Sequence, residues 1–337
     1  MSGRFLQLSG IVVDLVHHVD HMPQPGEEVE TRGILITAGG GFNAMQAALR
    51  FGVEVLYGGT LGTGMFAEIA SRALAATSIH IIPMQRPSID QGTCVVLVDK
   101  SGERSFISHH GAERKIDAVG LDGIESRADD WILLTGYSLM KPDSAAAILP
   151  WLLRLPSGSM FVFDPGPVVE EIPATALKSV LLRADWISAN YDEAKFLTGI
   201  DDPAAMARSL SLDRQGAIVR TGADGCWLAL EGKQSRHIPG FKVDAVDTNG
   251  AGDTHDGVFI AARCLGYGPA VAAGLANAAA ALSTTHHGPA TSPGLTETLS
   301  FMQSHGLTQA VPSEVMIARS DWDKPGASGR PQQGEVK

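Results

Sequence analysis

Short apolar runs alternate with amphipathic helical stretches along most of this chain, and that alternation leaves it few architectures. Strand-like runs are read at residues 5–13, 53–58, 131–135, 160–164, 186–189 and 217–220. Helical patterns lie between them at 43–51, 67–75, 144–153, 191–198 and 204–210. Such a rhythm predicts an α/β layered domain built on a mainly parallel sheet. In open sheets of this kind ligands gather at the carboxyl ends of the strands. Two stretches break the rhythm. Residues 15–37 are extended in character, with Pro23, Pro25 and Gly26 marking a turn, and residues 91–110 read as two strands around Lys100-Ser101-Gly102. Taken by pattern alone, both are hairpins on a sheet edge. From about Ala310, and plainly from Ser320, Pro, Gly, Ser, Gln and charge dominate without periodicity, which predicts a disordered tail.

A chain of 337 residues with 44% hydrophobic residues can bury one sizeable core. Its formal net charge of −11 argues against nucleic-acid or anionic-membrane partners, which favour basic surfaces. Cys94, Cys226 and Cys264 are odd in number and widely spaced, so reduced thiols are expected rather than a disulfide framework or a zinc site. The N-terminus reaches Asp14 too soon for a signal peptide, and no apolar run is long enough to span a bilayer. A cytoplasmic protein is expected. The paired histidines at 17–18, 109–110 and 286–287, with His21, lack metal-ligand spacing with an acid or Cys partner and read as loop surface. Gly58 to Gly64 is glycine-rich but has no acidic ribose partner about twenty residues on, so it reads as a turn rather than a dinucleotide site.

The chemistry concentrates in Asp247-Thr248-Asn249-Gly250-Ala251-Gly252-Asp253-Thr254-His255-Asp256-Gly257. A strand-like approach at 241–246 leads into a small-residue turn, and a helix-compatible stretch follows from about Thr254 to Leu265. A glycine-rich helix start aims unpaired N–H groups and the positive end of the helix dipole at one point. That point suits a phosphate. A carboxylate beside it would repel a passively bound anion. Asp253 makes sense if it takes a proton from a hydroxyl that attacks phosphorus held by those N–H groups. The plainer alternative is a strand-to-helix turn with an acid in the first helical turn.

This run resembles the C-terminal signature of the ribokinase-like (PfkB) carbohydrate kinases, interrupted by His255 where the family usually has Phe. Three further segments follow the family order. Ala38-Gly39-Gly40-Gly41-Phe42-Asn43 is similar to its N-terminal glycine motif, Asn190-Tyr191-Asp192-Glu193 to its Asn-x-x-Glu, and Thr221-Gly222-Ala223-Asp224-Gly225 to its Thr-x-Gly-x-x-Gly. Together they cover roughly residues 4–300. The resemblance implies a three-layer αβα domain with a mainly parallel sheet over residues 1–305, and a small β-sheet lid formed by segments near 15–37 and 91–110. An extension at 306–337 would follow, disordered from about 320.

It also implies an ATP- and Mg²⁺-dependent phosphotransferase acting on a hydroxymethyl group of a sugar, sugar acid or nucleoside. Asp253 would be the general base, with Gly250, Ala251 and Gly252 as the anion hole. Asp14, Gly39, Gly40 and Asn43 would bind the acceptor. Asn190, Thr221, Gly222, Asp224, Gly225 and Asn277 would bind ATP, and Glu193 would reach Mg²⁺ through water, which magnesium's persistent hydration shell favours. On spacing alone Asn190 and Glu193 make a capping box, Thr221 to Gly225 a turn between strands, and Asn277 one residue of a tightly packed Ala-rich helix. A K⁺ site would draw on Asp247, Asn249, Ser283, His286, Gly288 and Ser292. Relatives often dimerise through lid edges.

Several departures bear on the acceptor. Gly40 stands where some relatives carry Lys, Val12 where ribose-specific members tend to carry Asn, and Asp164-Pro165-Gly166-Pro167 lacks the Asn and Arg of the Asp-Pro-Asn-x-Arg seen in many members. Phosphosugars need cationic side chains. Arg104 is the main cationic candidate left, and a hairpin Arg is usually solvated. A neutral sugar (or sugar acid) is therefore expected, with a nucleoside kinase as the alternative and an idle sugar- or nucleotide-binding regulator as the alternative of another class.

Overall fold

The computed structural model describes residues 3–82, 85–86, 88–100 and 104–306. Its main sheet has nine strands in the order Arg236–Pro239, Gly225–Leu230, Gly216–Arg220, Trp186–Asn190, Met160–Asp164, Asp130–Thr135, Arg4–Gln7, Val55–Tyr57 and His80–Ile81. Every neighbouring pair from Gly216–Arg220 to His80–Ile81 is parallel, and the two strands beyond Gly216–Arg220 are antiparallel.

Side-chain alternation explains why the apolar runs were so continuous. Along Asp130–Thr135, Trp131 and Leu133 enter one core while Ile132 and Leu134 enter a second on the opposite face. Helices Gly41–Arg50, Ala251–Cys264 and Pro269–Ser283 contribute to the first core, through Met45, Phe259 and Leu275 among others. Pro142–Leu153, Ala174–Arg183 and Pro203–Leu210 contribute Ile148, Val180 and Met206 to the second. Three layers result. None of the described helices is long and apolar enough to cross a membrane.

The expected strand at 5–13 is two strands in two sheets. Arg4–Gln7 belongs to the main sheet and Ile11–His18 to a separate four-stranded sheet, ordered Gly33–Gly40, Ile11–His18, Thr93–Val98, Arg104–His109. At the crossing, the Gly10 carbonyl leaves the ladder and accepts from the Gly41 N–H at 2.9 Å. In the small sheet the outer pairs are antiparallel and the central pair is parallel.

Other expectations needed correction. The approach at 241–246 is not a strand: the Val246 and Asp247 N–H groups both donate to the Thr284 carbonyl, which ties it to a helix end instead of a ladder. The following helix begins at Ala251 rather than near Thr254. Helices Ala174–Arg183 and Leu295–Ser304 escaped the sequence reading because each buries only two residues, too narrow a stripe to give a period. The expected turn at 101–102 and the expected tail beyond 306 lie outside the described residues.

Candidate active site

A cavity of about 480 Å³ lies between the small sheet and the strand ends of the main one. Asp14, Cys94, Phe106 and Ser108 line it from the small sheet, Thr135 from a strand end, and Asn249 and Asp253 from the glycine-rich turn.

Gly250 sets that turn. Its φ of 75° is left-handed, and a Cβ there would stand 2.8 Å from the Pro289 carbonyl. The helix ladder starts when Thr254 N–H donates to the Gly250 carbonyl at 2.8 Å, and the Ala251 N–H donates to Thr248. The N–H groups of Gly252 and Asp253 have no preceding helical carbonyl behind them. Gly252 differs from Gly250. A Cβ at Gly252 would meet nothing closer than the Arg220 guanidinium at 3.9 Å, so the protein itself has room for a side chain there.

Helix Gly41–Arg50 meets Ala251–Cys264 so closely that a Cβ on Gly257 would collide with the Ala44 carbonyl. This approach brings Asn43 Nδ2 to Asp253 Oδ2 at 3.0 Å. Burial pushes the Asp253 carboxyl up to about 6, against the Asn43 hydrogen bond. Asp14 is 5% exposed, and burial together with the Asp253 charge pushes it to about 7. Gly40 and Asn43 line the cavity beside these acids. Gly39 acts from behind: a Cβ there would occupy the place of the Asp14 carboxylate.

Beneath the turn lies a charge cluster that the sequence reading missed. Arg220, at a strand end, sits 2.8 Å from Asp256, 3.1 Å from Asp164 and 3.6 Å from Glu193, and it donates to Ser188 Oγ at 3.0 Å. Desolvation opposes its charge, yet Asp256 and Asp164 hold the guanidinium well above its ordinary value. Asp164 is driven well above the carboxylate range by burial, whereas at Asp256 burial is overcome by Arg220, His255 and Asp164 acting together, which hold it well below. The signal was available: Arg220 closes an otherwise apolar strand two positions before Gly222.

Asn190 and Glu193 form a full capping box. Glu193 N–H donates to Asn190 Oδ1 at 2.9 Å and Asn190 N–H to Glu193 Oε2 at 2.8 Å, with Asn190 Nδ2 on the other carboxylate oxygen. Thr221 closes its turn on the Gly225 carbonyl, and Gly222 and Asp224 are exposed there. Asn277 is different. Its Nδ2 donates to the Ile238 and Pro239 carbonyls and its Oδ1 pairs with His255 Nε2, so its polar atoms face inward.

Several of the K⁺ candidates are already engaged within the protein. Asp247 accepts from the Gly288 and Asn249 N–H groups and pairs with Arg104 at 3.2 Å. The Ser292 carbonyl accepts from Arg50 at 2.7 Å and the Ser283 carbonyl from Thr291 at 2.9 Å, while the His286 side chain is exposed. The expectation of a solvated Arg104 is corrected: its side chain is 13% exposed and also donates to Thr248 Oγ1 at 2.8 Å. Among the described residues no group of three His, Cys, Asp or Glu could hold a metal.

A mixed sheet with this turn at its strand ends defines a ribokinase-fold phosphotransferase class. Residues 7–295 match the pfkB family carbohydrate kinases, and the chain belongs to that family. It is 29% identical to the uncharacterised sugar kinase YegV of Escherichia coli (strain K12) over 296 residues, covering 86% of this chain and 90% of the relative. It is 30% identical to the ribokinase of Haemophilus influenzae over 307 residues, covering 88% and 97%. Among solved structures, a candidate ribokinase II from E. coli in complex with ATP and Mg²⁺ superposes with a TM-score of 0.78 at 24% identity, covering 90% of this chain and all of the other (100%).

Proposed function

We propose that this protein transfers the γ-phosphoryl group of ATP to a hydroxymethyl group of a sugar or sugar acid. One observation carries the reading: Asp253 stands in the first turn of its helix, held by Asn43, on a cavity that Asp14 also lines. The acceptor hydroxyl gives its proton to Asp253 as its oxygen bonds to phosphorus, and the bond to the ADP oxygen breaks. A base near 6 is ionised at neutral pH and still basic enough to draw the proton. Of the anion-hole turn Gly250, Ala251 and Gly252, Gly250 and Gly252 would offer backbone N–H groups to the charge that develops on the phosphoryl oxygens, while Ala251, whose N–H is spent on the Thr248 carbonyl, would hold the turn in shape. Asp14, with Gly40 and Asn43 around it, orients the acceptor hydroxyls, and Gly39 makes room for that carboxylate.

ATP would lie against Thr221, Gly222, Asp224 and Gly225, and Asn190 would border its phosphates. Asn277 would serve there through packing, because its amide is spent internally. Mg²⁺, when bound, offsets phosphate charge. Glu193, already engaged by Asn190, would hydrogen-bond to the metal's water shell. The small sheet would act as a lid on a kinase domain spanning residues 1–305. Ile34, Ile36, Phe106 and Ile107 are exposed on its edge strands, which favours a homodimer through the lid, measurable by light scattering.

ADP release from ATP and Mg²⁺ with a panel of sugars, sugar acids and nucleosides tests the reading. Substrate-independent or absent turnover would favour an idle binding protein. Phe106 and Tyr137 on the cavity wall favour one second reading, a nucleoside kinase, in which they would flank a base. Preference for inosine or adenosine over every sugar would establish it.

A further inference from the structure

Arg114 lines the same cavity as Asp14 and Asp253 and is 5% exposed. It ends the short turn Ala112–Arg114, just past the small-sheet strand Arg104–His109. Among the described residues no carboxylate forms an ion pair with its guanidinium. Its Nη1 lies 3.0 Å from Met140 Sδ, and its guanidinium rests 5.1 Å from the Tyr137 ring centroid. Neighbouring Glu113 also lines the cavity, but its carboxylate accepts from the Gly92 N–H at 2.7 Å and the Gly111 N–H at 2.9 Å and forms no ion pair with Arg114.

Burying a cation with a thioether and a ring as its company is unfavourable, since neither replaces lost water as a carboxylate would. Burial depresses the Arg114 guanidinium below its ordinary value, and the charges of Glu113 and Glu171, neither of them in an ion pair with it, offset this only in part. Ser138, another residue lining the cavity, has a buried Oγ with no hydrogen-bond partner among the described residues. His110, lining it too, is held toward its neutral form by burial and by Arg114. A forked cation and an unpartnered hydroxyl on one cavity are the kinds of donor an anionic group takes.

Resting on the kinase reading above, we infer that the acceptor is a sugar acid, whose carboxylate is bound by Arg114 and Ser138 while its hydroxymethyl group faces Asp253. The anion is a carboxylate rather than a phosphate for reasons of charge. Arg114 is the one Lys or Arg among the lining residues, and Asp14, Glu113 and Asp253 share the cavity with it. One guanidinium suits a monoanion; a phosphate dianion calls for more cationic donors.

The test uses acids and alcohols that differ only at one terminal carbon. ADP release is measured for C4–C7 aldonates, such as D-gluconate and D-galactonate, beside the matching alditols, free aldoses, nucleosides and fructose 6-phosphate. The best acid should exceed its alditol by roughly 10- to 100-fold in kcat/KM, the range of a hydrogen bond to a charged group. Arg114→Met should remove that preference by raising KM for the acid, with KM for ATP unchanged and turnover of the alditol little altered. Arg114→Lys should restore part of it. Thermal melting of Arg114→Met should show no loss of stability, because a desolvated charge has gone. Faster turnover of a neutral sugar, a nucleoside or the phosphosugar than of every acid would overturn the inference and leave the kinase standing. Equal losses on acid and alditol, with a lowered Tm, would make Arg114 structural. No ADP release with any acceptor would instead defeat the kinase reading itself.

Discussion

Two buried arginines flank the candidate active site, and they are solved in opposite ways. Arg220 is enclosed by Asp256, Asp164 and Glu193 and bonded to Ser188, so its charge is answered within the protein. Arg114 meets a sulfur and a ring, has no ion pair among the described residues, and feels Glu113 and Glu171 only as nearby charges. The carboxylates divide likewise. Asp256 is held ionised by Arg220, while Asp14 and Asp253 face the cavity with pKa values raised to about 7 and 6. Answered charge is architecture; on the inference above, charge left without an ion pair at a cavity wall awaits a ligand.

The sharpest way to break this contrast is at Asp253. Asp253→Asn keeps the shape but cannot take the proton, so kcat should fall by roughly 10²–10⁴ with ATP affinity unchanged. Steady-state kinetics retaining more than about a tenth of wild-type kcat would remove it from the chemistry. Arg220→Met should act on stability instead. Leaving Asp256 and Glu193 buried without their cation should destabilise the fold by about 3–5 kcal/mol, read from urea denaturation. An unchanged midpoint would dissolve the distinction between the two arginines.

Gly252→Val probes the turn between them. Because a Cβ at Gly252 has room within the protein, the variant should fold, yet lose about 2.7–4 kcal/mol of transition-state stabilisation if one donor is blocked. Wild-type turnover would mean the turn binds nothing. A smaller effect comes from pH. Asp14 and Asp253 interact, so the pair should titrate together. Acceptor kcat/KM should climb through about pH 6–7 as both ionise and level off above. Since burial raises both folded pKa values above the unfolded ones, their protonated forms stabilise the fold at low pH. That contribution is lost as pH rises through 6–7, so Asp14→Asn should gain stability relative to wild type at pH 8. A pH-independent difference would contradict the assignment. The smallest expected effect is that of K⁺. With Asp247 already paired to Arg104, replacing K⁺ by N-methylglucamine should change kcat by less than about twofold. Strong K⁺ activation would show that Arg104 yields its place.

Much of the site was legible because its pieces are local. A glycine turn, an acid in the next helical turn and a capping box are properties of consecutive residues, and Asn190–Glu193 and Gly250–Asp253 fold as their spacing suggests. What escaped was made by residues far apart. The Arg220 cluster joins positions from 164 to 256, and Arg104 crosses from the small sheet to Thr248. Arg114 drew no notice in the sequence because nothing near it announces a cavity.

The sequence by itself determined the layered α/β architecture, since continuous apolar runs alternating with helical stretches admit few other arrangements, and it determined the local form of the glycine-rich turn. Tertiary structure alone decided where charge is answered. It brought Asn43 to Asp253 through a helix contact that only Gly257 permits, it spent Asn277 on backbone carbonyls, and it left Arg114 facing the cavity. The physical reason is that desolvation and Coulomb energy depend on which side chains meet in space, a property no local stretch of chain contains.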